Sequence, residues 1–282
     1  MKQFIPLLLI LIFTCGCRKE IEFTGEITEP KLVVNCILVS GKNPVINVSR
    51  SAPVASNLTP QYIEGATVRF YEGNEFIGYA TESEFEIGTY HILHEVIEGR
   101  TYRLEVESAN LKSVYAETKV PVASAGYIGA LTEDSPPVNT DFEAYSNALD
   151  FIIQDPASDN YYLFYLYELQ FDLAQNSLSY YSNEPIFEDQ QDTYNNGGLF
   201  SDESFNGNNF TLDVNIQPHE NQTDIVEYYA ALRTLNLDLF RFMQSVRVDD
   251  SGILTEPVQI YSNIENGIGI FGASSERVYL LP

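Results

Sequence analysis

The chain has 282 residues, 44% hydrophobic, 13% aromatic and 20% charged, a composition that builds a globular core and excludes a disordered tail. With 15 Lys and Arg against 40 Asp and Glu the formal charge is −25, a surface that repels phosphate backbones, so no nucleic acid is expected as a partner. The length permits one large domain or two of ordinary size, and a composition shift near residue 122 favours two.

Residues 1–16 read as a lipoprotein signal peptide. Lys2 forms a short positive segment, and Phe4 to Phe13 is an apolar run too short to span a bilayer as a helix. Gly16 supplies the small residue that cleavage requires before Cys17, and Thr14 stands where Leu is usual. Cys17 is the expected lipidation site, carrying a diacylglyceryl thioether and acyl chains such as palmitate. Of the 3 cysteines, Cys15 leaves with the signal and Cys17 is lipidated, so Cys36 is left without a disulfide partner. Residues 17–29 form a lipidated tether whose charged start, Arg18-Lys19-Glu20, resembles a signal that sends lipoproteins to the outer face of the outer membrane.

Residues 30–122 alternate with period two between turns at Gly41 to Pro44, Glu72-Gly73-Asn74 and Glu98-Gly99-Arg100. Leu32, Val34, Cys36 and Leu38 share one strand face, as do Ala66, Val68 and Phe70, then Tyr102, Leu104 and Val106, then Val114, Ala116 and Val120. One wet and one dry face on each strand predict a β-sandwich resembling an immunoglobulin or transthyretin-like module, with no helix. Cys36 is then a buried small hydrophobe and not a reactive thiol.

Residues 123–282 read as a second, β-rich domain. Thr132 to Pro137 suits a linker or long loop. Leu149 to Ile153 is a strand, and Tyr161 to Tyr167 is apolar on both faces, which predicts a central strand. The stretch near 172–209 is rich in Asn, Ser, Asp, Gln and Gly and reads as a long polar loop outside the core. Phe210, Leu212, Val214 and Ile216 restore alternation, and Ile225 to Leu235 is a further strand. Asn236 then caps a short helix that places Leu239, Phe242, Met243 and Val246 on one face. The fold class is therefore mainly β, a sandwich followed by a β-rich domain with at least one short helix.

No motif for catalysis, cofactor or metal emerges. His91 and His94 lie three apart in a strand region, on opposite faces, and His219 has no second histidine at zincin spacing. Glu188-Asp189-Gln190-Gln191-Asp192 lacks the alternating ligands and central glycine of an EF-hand loop. Gly267, Gly269 and Gly272 have dinucleotide-loop spacing, but the chain ends too soon after them for the required helix and acidic residue. They read instead as a turn at Asn266-Gly267 and a close approach between strands.

Several segments in order carry a resemblance: Glu29 to Asn35; Gly65 to Val68; Asp155-Pro156 ahead of Asn160-Tyr161-Tyr162; Phe200 to Gly207; Glu256 to Ile264; and Glu265 to Ala273. With the lipobox, they resemble the Bacteroidota lipoprotein family catalogued as domain of unknown function 4249, over nearly all of the mature chain. The resemblance implies no catalytic residues. It implies an outer-membrane lipoprotein whose partners are the membrane, through its lipid, and a TonB-dependent receptor. Such a protein would be a non-enzymatic accessory in ligand capture or uptake, its ligand unknown. The alternative is a structural or adhesive envelope protein making protein–protein contacts. Replacement of Cys17 by Ala is expected to abolish labelling by a clickable palmitate analogue and to move the protein from the membrane to the soluble fraction.

Overall fold

The structure, a computed structural model, describes residues 29–52, 61–132, 147–170, 175–182, 184–187, 197–216, 225–249 and 259–282. It is mainly β. One sheet of ten strands runs through both halves of the molecule, and two sheets of four strands cover parts of it.

The first four-stranded sheet has the order β5-β4-β8-β9, from β4 (Thr67–Glu72), β5 (Glu75–Tyr79), β8 (Thr101–Glu107) and β9 (Val114–Lys119). It faces the part of the large sheet built from β1 (Leu32–Val39), β2 (Val45–Arg50), β7 (Thr89–His91) and β6 (Thr81–Glu82), with β3 (Gln61–Tyr62) paired to β2. Between them lie the side chains that the alternation points inward: Leu32, Val34, Cys36 and Leu38 from one sheet, Val68, Phe70, Leu104 and Ala116 from the other. At the tight turns Gly41, Gly73 and Gly99 take positive φ, which glycine adopts without a Cβ penalty.

The second sandwich pairs the sheet β10-β11-β16-β14 with the other end of the large sheet. Its strands are β10 (Ala125–Thr132), β11 (Asn147–Gln154), β14 (Tyr180–Tyr181) and β16 (Asn209–Ile216). Opposite stand β12 (Tyr161–Gln170), β13 (Gln175–Leu178), β15 (Gly198–Ser201) and β17 (Ile225–Leu235). Leu149, Phe151 and Ile153 meet Tyr162, Phe164 and Leu166 in its core. The outer face of β12 and β17 is covered by α1 (Leu237–Asp249), which buries Leu239 and Phe240 against Leu163, Leu199 and Leu235. The aromatic run of β12 is apolar on both faces because each face has a cover. On the helix, Phe242 and Met243 pack partly against this cluster, whereas Val246 is exposed and Phe240 is buried in its place.

One strand joins the two sandwiches. β18 (Ile268–Leu280) runs parallel to β1 from Ile268 to Ser274, then antiparallel to β17 from Ser274 to Leu280. Before β17 takes over, the second edge of β18 is served by side chains. The Asn263 amide donates to the Phe271 carbonyl and accepts from the Phe271 N–H, both at 2.9 Å. Asn236 Oδ1 accepts from Ala273 N at 3.1 Å, and Asn236 N donates to Ala273 O at 2.9 Å. Two asparagines thus satisfy strand groups that burial would otherwise leave unpaired. Asn236 also caps α1 through Leu239 N at 3.1 Å, as its position predicts, and its Nδ2 reaches Thr118 Oγ1 on β9 at 2.8 Å.

Two segments differ from the sequence expectation. Within the expected polar loop near 172–209, the described residues form β13, β14 and β15 and bury Leu178, Tyr180, Tyr181, Phe187, Leu199, Phe200 and Phe205. The apolar residues there are spaced singly among polar ones, so no window carries a period, yet each finds a place in the core. The expectation also lacked β10. That strand lies at a sheet edge with little buried surface, and Gly126 and Gly129 let it lie against the Phe151 ring and the Ile152 side chain. Thr132 ends it; the rest of the proposed linker lies outside the described residues.

Gly269 is the tightest point of β18. It has φ +117°, and a Cβ there would stand 2.1 Å from the Val34 carbonyl oxygen. Gly269→Ala is expected to cost about 3 kcal/mol or more through strain and overlap. Gly41→Ala also meets a positive φ but has open space around it, and should cost about 1 kcal/mol. Thermal melts of the two variants check this, with a drop for Gly269→Ala of roughly 6 °C or more and a drop about a third as large for Gly41→Ala.

Candidate functional site at the junction of the sandwiches

Where the sandwiches meet, a cleft of about 780 Å³ opens between the β9–β10 connection, the loop that follows β11 and the start of α1. Val120, Pro121 and Val122 give it an apolar side, and Asp155, Asp159 and Asn160 a polar one.

The loops hold their shape through buried carboxylates. Asp155 accepts a short hydrogen bond from the Tyr162 hydroxyl on one oxygen, and the Gly207 N–H at 2.7 Å on the other. With its proton directed to Asp155, the Tyr162 oxygen accepts from the Ser124 hydroxyl at 2.9 Å. Ser124 N in turn donates to Thr234 Oγ1 at 3.0 Å, so this chain of bonds crosses from the inter-sandwich connection into β17. Asp202 accepts the backbone N–H of Asn160 at 2.8 Å and its side-chain amide at 3.2 Å. Burial, and then the adjoining Asp155 carboxylate, pushes the Tyr162 hydroxyl above the ordinary tyrosine value. Burial also raises the Asp202 carboxyl, with the charges of Asp155 and Asp159 acting in the same direction. Both oxygens of Asp155 are engaged within the protein, which makes this network a brace for the cleft wall.

The residues singled out in the sequence fall elsewhere. Gly16 and Cys17, the expected cleavage and lipidation positions, lie outside the described residues, as do His219 and Glu188 to Asp192. Cys36 is buried in the first core at 2% exposure, and burial pushes its thiol far up, which suits a space-filling residue. His91 is exposed on β7, whereas His94 packs beside Phe70 and Tyr102 and places Nε2 3.0 Å from Glu72 Oε2. Gly267 precedes β18, and Gly269 and Gly272 lie within it. Their missing side chains admit Leu32 O and Val114, then Val34 O, then Leu239, which is the expected close approach. Asn266, at φ 65°, makes the turn before them. Among the described residues no group of three His, Cys, Asp or Glu is placed to hold a metal ion. The sequence places Tyr162 in a central strand and Asp202 in a polar loop and gives neither of them, nor Asp155, a role in a site, because their bonds join segments far apart in the chain.

A family model described as Domain of unknown function (DUF4249) matches residues 18–279. The chain belongs to this family. The match takes in both sandwiches and the strand that joins them, so the DUF4249 unit is the whole described body and not one half of it. No curated protein matches the chain.

The raised carboxyl of Asp202 gives a pH test. A group whose folded pKa lies above its unfolded value adds stability that is complete below the unfolded value, about 4 for aspartate, and is lost as pH rises through the folded value. The urea midpoint of an Asp202→Asn variant is therefore expected to fall less than that of the wild type between pH 4 and neutrality.

Proposed function

We propose that this DUF4249 chain is a lipid-anchored protein of the outer membrane, facing the cell exterior, and a non-enzymatic accessory to a TonB-dependent transporter in ligand capture or uptake. The observation that carries this reading is the attachment of the body to its tether. Glu29 and Pro30 lead directly into β1, which lies inside the ten-stranded sheet between β18 and β2. A chain from Cys17 to Glu29 reaches about 40 Å at full extension. Lipid on Cys17 would hold Glu29 and the start of β1 within that distance of the membrane surface and so keep the attached body near it, a suitable arrangement for presenting a ligand to a transporter. The acidic body supports the same reading, because repulsion from anionic headgroups would keep it standing off the surface.

A second reading, a structural or adhesive envelope protein, is favoured by one feature. On the outer face of the β5-β4-β8-β9 sheet, Phe76 and Tyr79 are 46% and 61% exposed, pack edge to face at 5.2 Å and adjoin Tyr71 and Arg69. Exposed aromatic and arginine side chains of this kind are common at protein–protein contacts. A pull-down of the tagged protein from gently solubilised outer membranes separates the two. Stoichiometric recovery of a TonB-dependent receptor is expected; recovery alone, or with adhesion or secretion components, would overturn the uptake reading.

A further inference from the structure

The end of the first sandwich nearest the tether holds another cleft, of about 870 Å³. Three cations line it: Lys31 just before β1, Arg50 at the end of β2, and Lys112 in the loop between β8 and β9. Among the described residues, Glu29 is the one carboxylate that lines it. Ile63 and Leu111, both packed on the sandwich core, and Tyr62, 57% exposed, give it apolar surface.

What sets these cations apart is that they share one cleft; Lys42, Lys119 and Arg241 also form no ion pair among the described residues, but they do not line it. Of the 15 Lys and Arg, three precede Glu29 (Lys2, Arg18 and Lys19), which leaves twelve for a body rich in carboxylates. Arg69, Arg100, Arg103, Arg233 and Arg277 each pair with a glutamate. Among the described residues, no carboxylate is in ion-pair reach of Lys31, Arg50 or Lys112. The ammonium of Lys112 donates instead to Asn266 Oδ1 at 2.6 Å, which fixes the β8–β9 loop to the turn that starts β18. In a chain with a formal charge of −25, carboxylates are abundant, yet three exposed cations share one cleft and form no ion pair among the described residues. The field of the molecule sends an anion away from most of the surface and leaves this place open to it.

We propose that this cleft binds an amphiphilic phosphate, its phosphate group between Lys31, Arg50 and Lys112 and its hydrocarbon part on Tyr62, Ile63 and Leu111. Three cations less Glu29 give the cleft an excess of about two positive charges, matching a phosphate monoester of about −1.5 to −2 near neutral pH. The guanidinium fork of Arg50 suits two phosphate oxygens, and the two lysines act as point charges. The inference deepens the proposed function, on which it rests only for the meaning of capture, by naming the chemistry of the ligand.

The test uses the chain from Arg18 to Pro282, without lipid and without transporter, so that its failure is distinct from failure of the pull-down. Isothermal titration calorimetry with monododecyl phosphate below its micelle concentration is expected to show saturable one-to-one binding. The triple variant Lys31→Ser, Arg50→Gln, Lys112→Ser should bind at least tenfold more weakly while melting as the wild type does. If it does not fold, the single variant Lys112→Ser should still bind several-fold more weakly. Inorganic phosphate should compete poorly and dodecyl maltoside should not bind. Absence of binding, unchanged binding in the variants, or equal binding of dodecyl maltoside or of inorganic phosphate would each overturn the proposal. Flotation with vesicles containing phosphatidic acid, but not with phosphatidylcholine alone, would support a membrane lipid as the source. Monomer binding without flotation would support a free amphiphile.

Discussion

The pairing of β18 with two different strands is the constraint on which the molecule depends. Its first half runs parallel to β1 and its second half antiparallel to β17, with Ser274 paired to Val39 on one side and Leu235 on the other. Phe271 and Ala273 then belong to the first core, while Tyr279 and Leu281 pack on the second. Each sandwich needs this one segment to complete its face of the large sheet. A strand that changes partners half-way leaves backbone groups without a ladder on each side of the change, and Asn263, Asn236 and Ser40 supply what is missing, while the Ser275 hydroxyl donates to the Pro121 carbonyl.

The same arrangement explains the glycines and the polar residues that sit in otherwise apolar surroundings. Gly269 and Gly272 let β18 lie against Val34 and beneath Leu239, so their absence of side chain is a packing requirement of the strand and of α1. Asn236 acts in four places at once, as helix cap, as edge partner of Ala273 on both backbone groups, and as a link to Thr118. The Ser124–Tyr162–Asp155 chain braces the neighbouring cleft in the same region. Polar groups are concentrated where elements from different parts of the chain converge, because there the ladders of regular structure run out.

Much of the first sandwich was legible in the sequence. Period-two alternation placed Leu32 to Leu38, Ala66 to Phe70, Tyr102 to Val106 and Val114 to Val120 on inward faces, and the inward residues are buried. The cap at Asn236 and the turn at Asn266 were legible because each depends on a few adjacent residues. The parallel pairing of β1 with β18 was not, since nothing in either segment names a partner at the other end of the chain. Phe187, Phe200 and Phe205 were hidden among polar neighbours. The clefts are harder still. Lys31, Arg50 and Lys112 are unremarkable in sequence, and only the meeting of two strand ends with a hairpin loop makes them a group.

The position of β18 also has a meaning in time. A polypeptide is made from its N-terminus, and the first sandwich has β1 through β9 in hand long before Ile268 exists. Until Ile268 to Leu280 have been made, β1 lacks its parallel neighbour, Val34 and Cys36 lack Phe271, and the second sandwich lacks the strand beside β17. Completion of both sandwiches therefore waits on the same late segment.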